Sequence, residues 1–493
     1  MTTLLLLVPV AVPVLAAGIY ALVGWHRASA WISAASAGIV LTAAISVASA
    51  VISGGPVSTL GGSLRADALS AFMLVVIGAV ALLATAATPD HLRTEIGAGR
   101  ASARTAARHS LLVQLFLAAM SLAVLAASLG VLWVAVEATT IVTAFLVGQR
   151  RTRSAVEAAW KYVVICSAGI ALALLGTLLL NYAAQHAAAG VGLDWVELTA
   201  HAHSLDPDVT RIAVALLIVG FGTKAGLAPM HAWLPDAHSQ APAPVSALMS
   251  GVLLSVALYA ILRVKVIADA ALGVGFARTL LVVIALASLA LSASLLLAQR
   301  DYKRMLAYSS IEHMGLMGLG AAIGGRLAIA AVLLHVLGHG LAKSVLFLGA
   351  GRMLQITGTS RIDRVRGLAA RQPVLAGCFG FGVLALIGLP PFSLFASELG
   401  IARAGFAAGL GWATAAALVL VLVVAAALVA HTSRMVLGAA PDGPGAASAP
   451  ARAHPAAGAA LVVGLLACAV IGLTAGPLHP LLSSAADLLA GTP

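Results

Sequence analysis

The sequence predicts an all-α integral membrane protein with about 14 transmembrane helices. Of its 493 residues, 61% are hydrophobic and only 9% are charged. Apolar runs of about twenty residues, long enough for a helix to cross the hydrocarbon core, recur along the whole chain with short connections between them. Because these connections leave no room for a catalytic domain outside the membrane, any chemistry is predicted to take place within the bilayer.

The predicted spans follow the apolar runs in chain order. They lie near residues 2–24, 29–52, 66–88, 110–128, 130–148, 157–182, 209–228, 243–268, 276–299, 304–323, 327–350, 373–400, 409–437 and 458–486. The first run lacks a basic segment in front of it and continues to Val23. It is therefore predicted to be a spanning helix rather than a secretory signal.

The distribution of Lys and Arg predicts the orientation. Of the 28 such residues, 19 lie at odd-numbered connections or their flanks, 7 at even-numbered ones and 2 inside spans. Because basic residues concentrate on the cytoplasmic side, the odd connections should face the cytoplasm and both termini should lie outside it, in a cell (inner or cytoplasmic) membrane. The same distribution explains the net charge of +11 without a nucleic-acid partner, since the chain has no arginine-rich tail with interleaved aromatic residues.

Two spans are interrupted by Gly and Pro beside polar residues. The seventh contains GFGTKAGLAP around Lys224, and the twelfth contains IGLPPFSLFASE, which ends at Glu398. The breaks lie five spans apart, and an odd number of helices per repeat inverts the second copy, as in many secondary transporters. Irregular backbone at membrane depth must be buried in protein or line a wet cavity, so each break should mark half of a channel. We predict an N-terminal three-helix segment at 1–109, a first five-helix repeat at 110–268, an inverted second repeat at 269–437 and a C-terminal helix at 438–493.

Ionisable residues inside the spans predict an ion or proton path, because a charge at the bilayer centre costs roughly 2.5–3.5 kcal/mol on insertion scales. Glu137 is the single carboxylate of the fifth span, and Lys224 is its predicted partner. A weakened contact between them would let the lysine release its proton. A static structural ion pair is the alternative. Lys161, at the start of the sixth span, is either a path residue or a helix-end lysine whose ammonium reaches towards water.

The eleventh span carries His335, His339 and Lys343 at intervals of four residues, which places them on one helix face. Two imidazoles followed by an ammonium predict a proton relay, since histidine both accepts and donates near neutral pH. Zinc binding by the two histidines is the alternative. It is disfavoured because no third ligand is apparent nearby and the lysine would repel the cation.

Four further residues are candidates for proton entry or bridging. Glu312 and His313 in the tenth span either admit protons from the cytoplasm or hydrogen-bond a broken eleventh helix. His231 and His238 lie in PMHAWLPDAHSQAPAP, whose prolines predict a re-entrant turn.

The cysteines predict no redox centre. All three lie singly in apolar segments and offer no Cys-x-x-Cys pair for an iron–sulfur cluster, a haem or zinc. We therefore expect no cofactor, no metal and no catalytic residue in this chain. An independent solute carrier is disfavoured because the sequence shows no substrate-pocket signature.

These motifs resemble the antiporter-like proton-channel subunits of respiratory complex I, multisubunit cation/proton antiporters and membrane-bound hydrogenases. The resemblance rests on FGTKAGLAPMHAWLPDAHSQAPAPVSALMSG, QRDYKRMLAYSSIEHMG and HVLGHGLAKSVLFLGAG. Within the family, VEATTIVTAFLVG, KYVVICSAGIALALLGT and GLPPFSLFASELG are most similar to the component F type of hydrogenase-4 and formate hydrogenlyase-related complexes.

The resemblance implies a central row of protonatable residues along the membrane plane. Its members here would be Glu137, Lys224, His313, His335, His339, Lys343 and Glu398. Relatives usually carry a lysine or histidine in the eighth helix between the two half-channels, whereas this chain has Ser250 and Ser255. Either bound water, held by these hydroxyls and by His231 or His238, spans that gap, or the channel is disabled.

The predicted function is that of a proton-translocating, non-redox membrane subunit of an oxidoreductase complex. The resemblance implies other membrane subunits, a soluble arm similar to a [NiFe]-hydrogenase or an NADH dehydrogenase, and membrane lipid as partners. Two alternatives stay open. One is a Na⁺/H⁺ antiporter subunit, in which the same carboxylates bind the cation, and the other is a scaffold subunit with a disabled channel that anchors an enzyme to the membrane.

Overall fold

The structure is a computed structural model that describes residues 2–187, 190–438 and 455–490, and almost all of this part is helical. The α-helices are α1 (Thr2–Leu5), α2 (Val8–Val23), α3 (Ile32–Gly54), α4 (Ala68–Gly97), α5 (Ala103–Leu125), α6 (Leu129–Val147), α7 (Arg153–His186), α8 (Trp195–Ala200), α9 (Pro207–Lys224), α10 (Trp233–Gln240), α11 (Ala243–Leu248), α12 (Leu254–Leu272), α13 (Val274–Leu297), α14 (Tyr302–Ile323), α15 (Gly325–Thr357), α16 (Leu368–Arg371), α17 (Pro373–Leu386), α18 (Ser393–Ala407), α19 (Gly411–Leu437), α20 (Pro455–Leu473) and α21 (His479–Ala490). A π-helical segment, Met249–Leu253, joins α11 to α12 without a break. Short 3₁₀ turns lie at Ser29–Trp31, Leu60–Gly62, Gly148–Arg150, Ala202–Ser204, Ile362–Arg364 and Gly476–Leu478. Strands β1 (Val57–Thr59) and β2 (Leu64–Ala66) pair antiparallel between α3 and α4, with Val57 opposite Ala66.

The helix lengths and compositions confirm a polytopic helical membrane protein. Among the described residues, nine helices are long and apolar enough to cross a bilayer, or ten if the bent pair Gly458–Leu473 and Gly476–Ala490 is one span. That pair is bent by 76°, so the single span predicted near 458–486 folds as two helices instead. Other predicted spans coincide with helices outside this count. Helices α2 and α17 are too short to cross a bilayer by themselves, and α14 carries several charged residues.

The chain leaves the helical conformation at both predicted breaks. Helix α9 ends at Lys224 and α10 begins at Trp233, and α17 ends at Leu386 before α18 begins at Ser393. The expectation of a broken eleventh helix is wrong, because α15 is continuous over 33 residues.

The first half of the break between α9 and α10, residues 225–228, is buried in protein, and backbone groups at the break find partners there. The indole Nε1 of Trp233 donates to the Thr223 carbonyl oxygen at 2.8 Å, and the backbone N–H of Ala228 donates to Ser288 Oγ at 2.9 Å. An unpaired backbone group at membrane depth would cost several kcal/mol, so these contacts explain why the irregular segment is tolerated.

Glycines allow α9 to pack directly on α7. A Cβ atom added at Gly220 would lie 2.6 Å from both the backbone nitrogen of Ala173 and the carbonyl oxygen of Gly169. Such small residues let helix backbones approach closely in a membrane. The close approach brings the C-terminal end of α9, and with it Lys224, against the side chains of α6 and α7.

A buried ion pair joins the N-terminal helices to α12. Arg263 Nη1 lies 2.7 Å from Asp67 Oδ2, and both side chains are 2% exposed. The guanidinium also lies 3.8 Å from the ring centroid of Trp195. Burial by itself raises the pKa of Asp67, but the neighbouring guanidinium holds that pKa below its ordinary value of 3.8. In the sequence Arg263 is only one of the basic residues flanking the eighth span, so this pair was not predicted.

Candidate functional site

The first cluster centres on Lys224, which is completely buried. Its ammonium donates to the hydroxyl of Tyr162 at 2.8 Å and to Thr140 Oγ1 at 3.0 Å. Thr140 Oγ1 in turn donates to Glu137 Oε2 at 3.0 Å. The predicted partnership of Glu137 and Lys224 is therefore indirect, because a hydroxyl group stands between the two charges.

Two members of this cluster were missing from the sequence prediction. Thr140 lies three residues after Glu137, a spacing that places both on one face of α6, so the sequence did contain a signal for it. Tyr162 lies one residue after Lys161 and offered no such signal, since only the packing of α7 against α9 brings its hydroxyl to Lys224.

Glu137 and Thr140 also line a groove with a volume of about 1090 Å³. Its walls are largely apolar, and its lining includes the arginines Arg100, Arg104, Arg108, Arg150 and Arg151. These arginines belong to the third and fifth connections, which the sequence predicts to be cytoplasmic. The groove thus places the carboxylate of Glu137 and these arginines on one shared lining.

Lys161 belongs to a network that holds α10. Its ammonium lies 2.7 Å from Glu157 Oε1 and 3.1 Å from Asp236 Oδ2. Arg304 of α14 also pairs with Asp236. Because the Lys161 side chain is 47% exposed and bonds to these carboxylates, its geometry fits anchoring of α10 better than membership of the Lys224 cluster.

His238 lies on α10, inside the protein. It is completely buried, its ring stacks on Phe347 at a centroid distance of 4.9 Å, and neither ring nitrogen has a hydrogen-bond partner among the described residues. The buried ammonium of Lys303 holds the end of the same helix by donating to the carbonyls of Ser239 and Ala241. From the sequence, Lys303 was expected only to be one of the basic residues that orient the chain in the membrane.

Two other candidates, His231 and Ser255, make no side-chain hydrogen bond to Lys224 or Lys343 or to the groups that hold these lysines, within the part of the chain that the structure describes. His231 is half-buried in the segment between α9 and α10, and its Nδ1 has no hydrogen-bond partner there. The hydroxyl of Ser255 donates within its own helix to the carbonyl oxygen of Gly251 at 3.4 Å.

The second cluster centres on Lys343, also completely buried. Its ammonium donates to the carbonyl oxygen of Leu306 at 2.7 Å and to Ser309 Oγ at 2.5 Å. Ser310 Oγ donates to the same Leu306 carbonyl at 3.1 Å and lies 2.8 Å from Ser250 Oγ. The hydroxyl of Ser250 therefore adjoins the Lys343 site, whereas Ser255 does not.

Hydrogen bonds fix the order of donors among the buried histidines. Ser397 Oγ uses its single proton to donate to Leu394 O at 2.8 Å, so it accepts from His335 Nδ1 at 2.9 Å. His335 Nε2 then accepts from His313 Nδ1 at 2.9 Å. The remaining nitrogen of His313 faces Glu312 Oε2 at 3.3 Å. These tautomers are assigned from the network, and they form one continuous chain from His313 to Ser397, whereas His313 Nε2 makes no hydrogen bond among the described residues.

Glu398 and His339 complete this region. The Oε1 atom of Glu398 is buried without a hydrogen-bond partner among the described residues, and its carboxylate comes within 4.8 Å of ligand nitrogens of both His313 and His335. A Cβ atom at Gly388, whose φ is +66°, would lie 2.2 Å from Glu398 Oε2. The ring centroid of His339 lies 5.2 Å from that of His313. The structure places Glu398 and His313 beside His335, from two other helices, but this group does not include His339, the second histidine of the predicted pair.

Residues 126–424 match the family described as NADH:quinone oxidoreductase/Mrp antiporter, transmembrane region, and this range holds both clusters. The chain belongs to this family. The resemblance inferred from the sequence motifs is thereby confirmed.

Individual relatives within the NADH:quinone oxidoreductase/Mrp antiporter family agree with this assignment. The chain is 40% identical over 344 residues to the hydrogenase-4 component F homolog of Methylacidiphilum infernorum (isolate V4), covering 69% of this chain and 72% of that protein. It is 31% identical to hydrogenase-4 component B of Escherichia coli (strain K12), covering 68% of this chain and 50% of the relative. The chain thus spans about half the length of some curated family members that it matches.

Solved structures of family members share the fold. A chain in the structure of the Mrp complex from Dietzia sp. DQ12-45-1b superposes with a TM-score of 0.85, covers 99% of this chain and 98% of that chain, and is 24% identical. A chain of respiratory complex I from Thermus thermophilus with bound NADH gives a TM-score of 0.80 at 25% identity, with 100% of both chains covered. At these identities the likeness establishes the antiporter-like fold of the family.

Proposed function

We propose that this chain is the proton-translocating membrane subunit of a redox-driven complex of the hydrogenase-4 or complex I type. The observation that carries the proposal is the pair of buried lysine-centred clusters. Lys224 is held by two hydroxyl groups, and Lys343 by one hydroxyl group and one backbone carbonyl, rather than by a direct carboxylate. Burying an ammonium inside a membrane protein is costly, so two such groups indicate a purpose beyond stability. The same function is supported by membership of the family and by the similarity to components F and B of hydrogenase-4.

For the architecture, we propose 14 spans with two inverted five-helix repeats, at 110–268 and 269–437, between an N-terminal segment at 1–109 and a C-terminal unit at 438–493. Two parallels support the repeats. The third helix of each is the longest, with 34 residues in α7 and 33 in α15, and the fourth helix of each is interrupted. Both termini would face away from the cytoplasm, and the membrane would be the cell (inner or cytoplasmic) membrane.

The first transfer step would take place at the Thr140 bridge. A change of charge or hydration in the groove, caused by a neighbouring subunit, would weaken the bond between Glu137 and the threonine hydroxyl. Lys224 would then lose the carboxylate that favours its charged form and would release its proton inward. Moving one charge against 100 mV costs about 2.3 kcal/mol, and the interaction between charges in a low-dielectric interior is of comparable size.

The passage between the half-channels would use hydroxyl groups and bound water. Ser250 lies in the π-helical segment and bonds to Ser310, whose neighbour Ser309 accepts from Lys343. The imidazole of His238, with two unpartnered nitrogens, offers further sites for water on the side of α10. These groups favour a hydrated bridge over a disabled channel, because a buried hydroxyl or imidazole without a partner costs free energy unless water satisfies it.

The last transfer step would run through the histidine chain to Glu398. The bonded pair of His313 and His335 lies between Glu312 and Ser397, and the carboxylate of Glu398 stands beside both imidazoles. The proposed transfer uses side chains and water of this chain only. Electron transfer would occur in partner subunits, including a soluble arm similar to a [NiFe]-hydrogenase or an NADH dehydrogenase.

Replacing the central lysine of the first cluster tests the proposal. Lys224→Ala in the assembled complex should abolish most redox-driven proton uptake into sealed vesicles while electron transfer to a soluble acceptor continues. Lys265→Ala is the matched control, since this lysine of α12 pairs with Asp269 outside both clusters. Proton uptake that is equal in Lys224→Ala and wild type would instead establish the scaffold function.

A Na⁺/H⁺ antiporter subunit is the second candidate, favoured by the fold shared with the Mrp complex. In that case the carboxylates of Glu137 and Glu398 would bind sodium. Transport in sealed vesicles that requires sodium would identify the antiporter, and equal transport with sodium replaced by choline would exclude it.

A further inference from the structure

Three side chains from three helices converge at the end of the second cluster. His313 on α14, His335 on α15 and Glu398 on α18 each present one ligand atom, and these atoms all lie within 4.8 Å of one another. We propose that these residues bind a Zn²⁺ ion, which would occupy the last step of the proposed proton route and block it while bound. Ligand atoms around tetrahedral zinc are about 3.4 Å apart, since each lies about 2.0–2.2 Å from the metal. The side chains would therefore move together by at most about 1.4 Å.

The hydrogen bonds already prepare His335 as a ligand. Because Ser397 Oγ donates to Leu394 O, it must accept the proton of His335 Nδ1. In the metal-free chain the lone pair of His335 Nε2 accepts from His313 Nδ1. Zinc would replace this bond, and the proton of His313 would then lie on Nε2, which faces Glu312 Oε2 at 3.3 Å. A histidine that ligates zinc nearly always donates its other N–H to such a partner, which fixes its tautomer and its ring orientation.

Glu398 supplies an independent indication of a bound cation. Its Oε1 atom is buried and has no hydrogen-bond partner among the described residues, although a buried carboxylate oxygen is normally bonded. A cation between this oxygen and the imidazoles would satisfy it. Neither nitrogen of His339 has a partner among the described residues, and its ring lies 5.2 Å from that of His313, so His339 is a candidate fourth ligand.

Repulsion from Lys343 does not exclude the ion. Lys343 follows His335 by eight residues, about 12 Å along the helix, but it lies one turn from His339, and its ammonium bonds to Ser309, one turn before His313. Its ammonium points to Leu306 and Ser309, and the carboxylate of Glu312, 3.3 Å from His313, adds negative charge near the site. Imidazole and carboxylate together suit zinc, whereas sodium and magnesium prefer oxygen ligands alone.

Zinc binding is tested on the purified full-length chain in detergent, by competition with a chromogenic chelator and by the absorption spectrum of Co²⁺ as a substitute. The wild type should bind one Zn²⁺ tightly and give a tetrahedral Co²⁺ spectrum. His335→Gln and Glu398→Gln should each weaken binding more than about 100-fold. Ser397→Ala keeps every ligand and should weaken binding about 10–100-fold, as loss of an outer-shell partner does. His109→Gln, at a buried histidine on α5 that bonds to Gln149, should leave the affinity unchanged.

Equal zinc affinity in the wild type, His335→Gln and Glu398→Gln would overturn the proposal. So would a Co²⁺ spectrum of octahedral type in the wild type. Size-exclusion chromatography of each variant separates loss of the site from loss of the fold, and Ser397→Ala gives a second measurement if a ligand variant misfolds. Zinc binding is measured without transport, so a failure to bind zinc would not contradict proton translocation. Unchanged proton uptake in Lys224→Ala would likewise not contradict the zinc site.

Discussion

The Thr140 hydroxyl bridges the two charges of the first cluster, so its removal gives the sharpest test of the proposed transfer step. Thr140→Val replaces the hydroxyl by a methyl group and leaves the shape of the side chain nearly unchanged. It removes the bond from the Lys224 ammonium at 3.0 Å and the bond to Glu137 Oε2 at 3.0 Å. Among the residues that the structure describes, the Lys224 ammonium then keeps one bond, to the hydroxyl of Tyr162.

The size of the effect follows from the bonds that are lost. A hydrogen bond to a charged group contributes about 1.5–3 kcal/mol, and each 1.36 kcal/mol in a barrier changes a rate tenfold. If the bridge carries the coupling between Glu137 and Lys224, Thr140→Val should therefore slow proton uptake by about 10- to 150-fold. Thr140→Ser keeps the hydroxyl and should keep most of the rate.

The assay is redox-driven proton uptake by the complex in sealed vesicles, measured with a pH-sensitive dye and normalised to the amount of assembled complex. Thr139→Val is the matched control, because this buried neighbour on α6 donates only to the carbonyl oxygen of Val136. A Thr140→Val rate within twofold of wild type would refute the bridge. Equal losses in Thr139→Val and Thr140→Val would point to packing of α6 instead.

Two further predictions concern stability, measured as thermal unfolding in detergent. Asp67→Asn should lower the free energy of unfolding by about 3–5 kcal/mol, because it leaves the Arg263 charge buried without its partner. Since the folded-state pKa of Asp67 lies below 3.8, the contribution of the pair is complete at neutral pH and is lost only as the pH falls through that lower value. Gly220→Ala should lower the free energy of unfolding by about 1–3 kcal/mol, because the new methyl group meets backbone atoms of α7 that cannot move aside.

Each stability prediction has a matched control. The double variant Asp67→Asn with Arg263→Gln should recover part of the loss, whereas additive losses would contradict a direct pairing of the two side chains. Gly38→Ala, at a helical glycine whose added Cβ meets nothing within 4 Å, should leave the unfolding temperature unchanged. An equal loss at Gly38 and Gly220 would show that helix packing is not the cause.

Sequence reasoning located the charged residues but not their intermediaries. Lys224, Lys343 and the histidines stand out because ionisable groups are rare in apolar runs. Thr140 and Ser397 do not stand out, since hydroxyl residues are common in such helices and become significant only through a partner on another helix. For the same reason the proximity of His313 and His335 to Glu398 was not predicted, because Glu398 is more than sixty residues from His335 in the sequence.

The amino-acid sequence by itself determined the membrane class, the positions of both helix breaks, the stripe of His335, His339 and Lys343, and the family. These features are local, because apolar length, Gly and Pro, and a spacing of four act within one segment of chain. Only the tertiary structure decided that a hydroxyl separates Glu137 from Lys224. It also decided that Ser250, unlike Ser255, bonds to Ser310, which shares the Leu306 carbonyl with the second lysine. Such contacts depend on how closely helices pack, and that distance is set by side chains far apart in the sequence.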